Sequence, residues 1–198
     1  MTYAIIGSGA IGHALATQFA RKRIDLLVAN SRGPASLVDM VRELGPNIKA
    51  VSVPDALRAD VVILAVPFSA IPSAVKNAAD WNGRIVVDAS NAIDFPAFKP
   101  TDLGGRLSTE IVAAAVPRAR VVKAFNTIPA AVLAAEPEQS GGRRVVFLSG
   151  DDAKANSEIA NLIEHLGFAA VTLGKLAEGG PSQQFGGPLV AVNLIKLG

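Results

Sequence analysis

The chain contains no cysteine and only two histidines among its 198 residues. Disulfides, a thiol nucleophile and a thiolate metal site are therefore excluded. No paired carboxylates and no metal-ligand cluster stand out, so a metal centre is not expected. No apolar run reaches the length of about 18 residues that a membrane span requires. Neither sign of charge dominates: 19 Lys and Arg stand against 17 Asp and Glu, for a net charge of +2. The charges are scattered apart from Arg21-Lys22-Arg23, which closes a helix pattern where cations suit the dipole. Nothing here favours a nucleic-acid partner. The N-terminus enters a strand pattern almost at once, so no signal peptide is expected. A soluble, cytoplasmic protein is the expectation. Half of the residues are apolar, enough for a full core in one large domain, or in one domain with a small appendage.

What the chain does have is concentrated in its first 32 residues. An apolar strand pattern, Thr2–Ile6, runs into Gly7-Ser8-Gly9-Ala10-Ile11-Gly12. A helix pattern follows with Ala14, Leu15, Phe19 and Ala20 on one stripe. A second strand, Leu26–Ala29, then ends in Asn30-Ser31-Arg32. This is the dinucleotide-binding βαβ fingerprint in its structural context. The first glycine permits the tight turn, the second lets the backbone approach a pyrophosphate, and the third lets helix pack on strand. Free amides at the helix N-terminus then receive the anion. A dinucleotide without a 2′-phosphate is usually held by an acid at the end of the second strand. Here an amide, a hydroxyl and a guanidinium stand instead, and Arg32 can make charge-assisted bonds to a phosphate. The expected cofactor is NADP(H).

Strand and helix patterns alternate along the rest of the chain, which predicts an α/β fold of the doubly wound Rossmann type with a mostly parallel sheet. Asp60–Val66 is a near-continuous apolar run, as in a central parallel strand buried on both faces. Residues 91–107 carry prolines and glycines without periodicity and read as a long loop, of the functional or mobile kind. Ser108–Val116 reads as a helix with Ser108 as its N-cap. Residues 1–150 form the expected NADP-binding domain, and residues 151–198 a small C-terminal extension and tail. Gly179-Gly180-Pro181 and Gly186-Gly187-Pro188 punctuate that tail, and the apolar segment Leu189–Leu197 is expected to pack on the domain or on a second subunit.

In an open α/β sheet the ligand lies beyond the carboxyl ends of the strands. Four such ends are notable: Gly7–Gly12, Asn30–Arg32, Pro67-Phe68-Ser69, and Asn126-Thr127-Ile128-Pro129. The first two are expected to hold the adenosine half of the cofactor. Val66 and Pro67 would present backbone groups to a ribose, and Asn126, Thr127 and Ile128 would floor the redox site. Neither His13 nor His165 is poised as a general acid, and Lys123 lies inside a strand pattern. Reduction of a carbonyl needs a proton donor, whereas hydride transfer between two rings needs mainly stacking and orientation. A site without an acid favours the second kind of reaction.

These motifs, with Ala65-Val66-Pro67, the run Val121–Ala130, Gly150-Asp151-Asp152 and the tail segments Leu173–Ala177 and Pro188–Ile195, resemble the NADPH-dependent coenzyme F420 reductases. The chain is also similar to the NADPH-binding domain of the six-transmembrane metalloreductases. The resemblance implies a Rossmann domain whose small C-terminal part covers the acceptor site, and a homodimer built partly with that tail. It implies that Ser8 with Gly7, Gly9 and Gly12 holds the pyrophosphate and that Ser31 and Arg32 hold the 2′-phosphate, with Ala10, Ile11 and Asn30 also among the cofactor-binding residues. Pro67 and Phe68 would flank the nicotinamide side, with Ala65 and Val66 also among the cofactor-binding residues. Asn126 and Ile128 would lie where two rings stack, with Gly187 and Pro188 near the acceptor ring. The chain departs from that family's pattern at Asn126, where histidine is frequent, at Phe68, where tryptophan is frequent, and at Gly187, which replaces a hydroxyl residue. The acceptor therefore stands open between coenzyme F420, FMN, FAD and riboflavin. Two other readings remain: a small imine or β-hydroxyacid reductase, and a non-catalytic NADP(H) sensor.

Overall fold

Short runs of Ile, Val, Leu and Ala, each bounded by a turn residue, become the strands of one twisted sheet. The computed structural model describes residues 1–198. In chain order the elements are β1 (Tyr3–Ile6), α1 (Ala10–Arg21), β2 (Leu26–Ala29), α2 (Val38–Leu44), β3 (Ile48–Ala50), α3 (Val53–Ala56), β4 (Val61–Leu64), α4 (Ile71–Val75) and β5 (Ile85–Asp88). Then follow β6 (Ile93–Asp94), β7 (Lys99–Pro100), α5 (Ser108–Ala115), β8 (Arg120–Ala124), α6 (Ala130–Ala134) and β9 (Glu138–Gln139). The chain closes with β10 (Gly142–Gly150), α7 (Ala153–His165), β11 (Ala169–Thr172), α8 (Leu176–Gln183) and β12 (Ile195–Leu197). The main sheet has the order β11-β10-β8-β5-β4-β1-β2-β3. Strands β1 to β5 and β8 in it are parallel, whereas β10 runs antiparallel to β8, with Ser149 opposite Lys123. This is a Rossmann-like, mostly parallel doubly wound sheet.

Side chains alternate across the pleat, so each central strand feeds two cores. Ile5, Ile63, Val87 and Val122 pack with Leu15 and Phe19 of α1 and Ile159 and Ile163 of α7 on one face. Ala4, Val62, Val86 and Val121 pack with Leu57, Val75, Trp81 and Val112 on the other. The sheet order reverses direction at β1, so the crevice of the fold opens over the carboxyl ends of β1 and β4.

Several local expectations differ from the structure. Ser108 is the first helical residue of α5, not its cap: the cap position is Leu107, whose amide donates to Glu110 Oε2 at 3.0 Å. The stretch 91–107 is not wholly irregular, since β6 and β7 pair within it as an antiparallel ribbon. Gly179, Gly180 and Pro181 lie inside α8 rather than in turns. A Cβ on Gly179 would lie 2.7 Å from the Cβ atoms of Leu173 and Ser149. Gly179 serves close packing of the helix on β10, and Gly180 its approach to Leu107. The sheet continues across the boundary expected at Gly150, because α7 leads into β11, which pairs with β10. The apolar tail returns to the same sheet: β12 pairs with the first residues of β10.

The α7–β11 connection depends on one carboxylate. Glu164 Oε1 accepts from the Ala170 amide at 3.0 Å, and Oε2 pairs with Arg143. The amide bond first, then the guanidinium, hold the Glu164 carboxyl below its ordinary range against the opposing effect of desolvation. A depressed folded-state value means stability that is complete above the ordinary glutamate range and is lost as pH falls through the lower folded value. Wild type should therefore be more stable than Glu164→Gln at pH 7, and thermal melts should show the gap closing as the solution is acidified through that window.

Candidate functional site: a cleft at the strand ends

The first turn after β1 is shaped by glycines for separate reasons. Gly7 sits at φ +115°, and a Cβ there would lie 2.2 Å from the Ala65 carbonyl oxygen. A Cβ on Gly12 would lie 2.0 Å from the Gly7 oxygen, so helix α1 could not approach its own strand. A Cβ on Gly9 would meet nothing within 4 Å. Gly9 is the cap residue of α1, with no side-chain cap bond, and the amides of Ser8 and Gly9 have no backbone acceptor. Two fates follow. Gly12→Ala should destabilise the fold by about 1–3 kcal/mol or more through overpacking. Gly9→Ala should stay within about 1 kcal/mol of wild type yet lose NADPH affinity, because its methyl would stand over the open amides. Melting curves and cofactor titration separate the two.

A cleft of about 740 Å³ opens beside this turn. Gly7, Ser8 and Gly9, Asn30 to Arg32, and Ala65 to Pro67 all line it, joined by Ser73, Lys76 and Asn77 at and beyond α4. Three of the four strand-end segments singled out in the sequence thus meet around one space. Its only charged wall residues are Arg32 and Lys76, neither of which has an ion-pair partner, and no carboxylate or histidine lines it. Lys76 carries no signal of its own in the sequence; it stands just past the end of α4 as one exposed lysine among others. Asn30 is a brace rather than an open wall. Its Nδ2 donates to Ser8 Oγ at 2.9 Å and to Ser36 Oγ at 3.0 Å, and its Oδ1 accepts from the Arg32 amide at 2.9 Å. It ties the glycine turn to the β2 end. Ala10, Ile11 and Gly12 form the first turn of α1 behind the cleft wall. Two open amides, two free cations and a wall without acids fit the phosphates of NADP.

Other expected residues lie elsewhere. Phe68 is partly buried against the second core and does not line the cleft. Asn126 and Ile128 are buried at the carboxyl end of β8, outside the cleft. Gly187 packs against the end of α8, where a Cβ would lie 2.5 Å from the Pro181 oxygen, and its neighbour Pro188 is exposed. That glycine answers a packing need. His13 stands 3.7 Å from Glu43, away from the cleft. Lys123 is fully buried, with Nζ 2.9 Å from Asp88 Oδ2. The tail does reach the β8 end: the Ala191 amide donates to the Thr127 oxygen at 2.7 Å.

Fold, crevice and glycine turn together define a dinucleotide-binding protein of the Rossmann class. Residues 2–92 match the family described as NADP oxidoreductase coenzyme F420-dependent. That segment, which carries the glycine turn and the strand ends that line the cleft, is similar to this family of NADP-dependent oxidoreductases. It is 30% identical over 175 residues to the metalloreductase STEAP3 of Rattus norvegicus, covering 87% of this chain and 34% of that protein. The chain thus spans about a third of the length of the curated relative it matches. Among solved structures, a hypothetical protein, SMa0349, from Sinorhizobium meliloti is 63% identical, with a TM-score of 0.97 over 99% of this chain and 96% of that one. A "putative f420 dependent nadp-reductase" from Arthrobacter sp. FB24 is 27% identical, with a TM-score of 0.77 over 90% and 88% of the two chains. No helix is long and apolar enough to cross a membrane.

Proposed function

We propose that this protein transfers a hydride directly between NADPH and the ring of a deazaflavin such as coenzyme F420, or of a flavin such as FMN or FAD. The observation that carries the reading is the cleft, cationic at Arg32 and Lys76, which leads toward the amide cluster of Asn91, Asn126 and Gln183 at the ends of β5 and β8. NADPH gives up a hydride, two electrons with one hydrogen nucleus, and becomes NADP⁺; the acceptor ring takes up that hydride and gains one further proton from water. The task left to the chain is orientation. The Ser8 and Gly9 amides bind the pyrophosphate, Arg32 and Ser31 bind the 2′-phosphate with Lys76, and the backbone from Ala65 to Pro67 directs the nicotinamide half over β4 and β5 toward Asn126 and Ile128. Residues 91–107, α8 and the tail, including Gly187 and Pro188, would close over the acceptor. The exposed Leu194 and Leu197 of the C-terminal segment support a homodimer, which light scattering would detect, and the expected compartment is the cytoplasm.

The test is NADPH oxidation followed by absorbance with F420, FMN, FAD and riboflavin in turn. Ring-dependent turnover is expected. NADPH oxidation that ignores every ring, or turnover of an imine or ketone with no ring added, would overturn the proposal. Tight NADPH binding with no turnover on any acceptor would favour the sensor instead.

A further inference from the structure

Asn126 is held with unusual completeness and left with one unused group. Its Nδ2 donates to Asn91 Oδ1 at 2.9 Å and to the Gln183 carbonyl oxygen at 2.7 Å. Asn91 returns the bond, its Nδ2 donating to the Asn126 carbonyl oxygen at 2.8 Å. The orientation of the amide is thereby determined. The Gln183 oxygen is a backbone acceptor and can face only a donor, and Asn91 must turn its own Nδ2 toward the Asn126 carbonyl. The preceding residue, Phe125, is fully buried in the left-handed region at φ +66°, a conformation that costs a non-glycine residue free energy and fixes where the next side chain goes. Asn126 is 4% exposed, and its Oδ1 has no hydrogen-bond partner. A buried acceptor without a donor is a standing penalty, and native structures rarely carry one without a reason.

The place in the fold supplies the reason. The adenosine cleft covers the ends of β1, β2 and β4. A dinucleotide crossing the reversal point continues over β4 toward β5 and β8, and Asn91 and Asn126 follow those two strands. We propose that Asn126 Oδ1 is a recognition acceptor for a ring-borne amide N–H: the carboxamide of the nicotinamide or the imide of the acceptor ring. This rests on the ring-to-ring reading above and narrows it. Asn91 and Gln183 act as positioning residues that keep the oxygen, not the nitrogen, free.

The experiment compares equilibrium binding of ligand pairs that differ only in that N–H. One pair is NADP⁺ and its 3-acetylpyridine analogue; the other is FMN and its N3-methyl derivative. Wild type should prefer the N–H-bearing member of one pair by about tenfold, the effect of one buried hydrogen bond, and the pair that discriminates identifies the source. Asn126→Leu should abolish that preference while binding adenosine 2′,5′-bisphosphate as wild type does. Equal wild-type binding within both pairs would overturn the inference, as would a preference that survives in Asn126→Leu. If the leucine variant does not fold, the wild-type comparison decides alone. If no ring is ever turned over but the NADP⁺ pair discriminates, the proposed reaction fails and the recognition acceptor stands.

Discussion

Replacing Lys123 with methionine should destabilise the protein by about 3–5 kcal/mol and lower its melting temperature by on the order of 10 °C. The lysine and its partner Asp88 are both fully buried, on adjacent strands β8 and β5. Nζ donates to Asp88 Oδ2 at 2.9 Å and to the Ser90 carbonyl at 3.2 Å. The other carboxylate oxygen takes the Ser90 amide and hydroxyl at 3.0 and 2.6 Å. Removing the ammonium leaves a carboxylate with no solvent and no counter-charge, which is the costly half of breaking a buried pair. The double variant Lys123→Met/Asp88→Leu should recover much of the loss, because it removes both charges together. Denaturant unfolding of the two singles and the double closes the cycle. A single variant as stable as wild type would show that the pair does not hold this strand junction. The geometry also assigns Lys123 a place in the scaffold. The Ser90 turn that it fixes leads into Asn91, so the pair holds up the recognition site without touching it.

How much of this was legible in the sequence follows from which constraints are local. The positive φ of Gly7 and the approach of Gly12 to the Gly7 oxygen are backbone constraints that act within a dozen residues, and the alternation of strand and helix patterns is set by each segment's own periodicity. These were readable, as was the convergence of Gly7–Gly9, Asn30–Arg32 and Ala65–Pro67, because the fold class dictates where strand ends point. The features that were not legible are tertiary. Gly179 and Gly180 look like turn residues, but their selection comes from the approach of α8 to Ser149 and Leu107. The reversed direction of β10 leaves no mark, since an apolar strand has the same pattern either way. Lys76 is an ordinary surface lysine until α4 is folded against the cleft. Asn126 was singled out as a site residue, but its locked amide depends on Asn91 and on Gln183, which lie 35 and 57 positions away.

The preference for NADPH over NADH should rest chiefly on Arg32. Arg32→Ala is expected to weaken NADPH binding by roughly 10- to 100-fold, the range for a lost hydrogen bond to a charged group, and to leave NADH binding nearly unchanged. The guanidinium lies in the cleft wall beyond β2 and has no competing carboxylate, and its planar fork would suit a 2′-phosphate there. Lys76→Ala should add a smaller loss of the same selectivity, as a point charge on a flexible stem does. Asn30→Asp tests the same wall from the other side. It would place a negative charge beside the 2′-phosphate and remove the Nδ2 bonds to Ser8 and Ser36, so NADPH should weaken while the ribose hydroxyls of NADH gain an acceptor. Titration of all three variants with both dinucleotides, at two salt concentrations, separates the effects. Losses confined to NADPH and shrinking with salt belong to phosphate recognition. Equal losses for NADH and NADPH in Arg32→Ala would mean that the arginine shapes the cleft and reads no phosphate, and the choice of cofactor would then have to rest on Lys76 and Ser31.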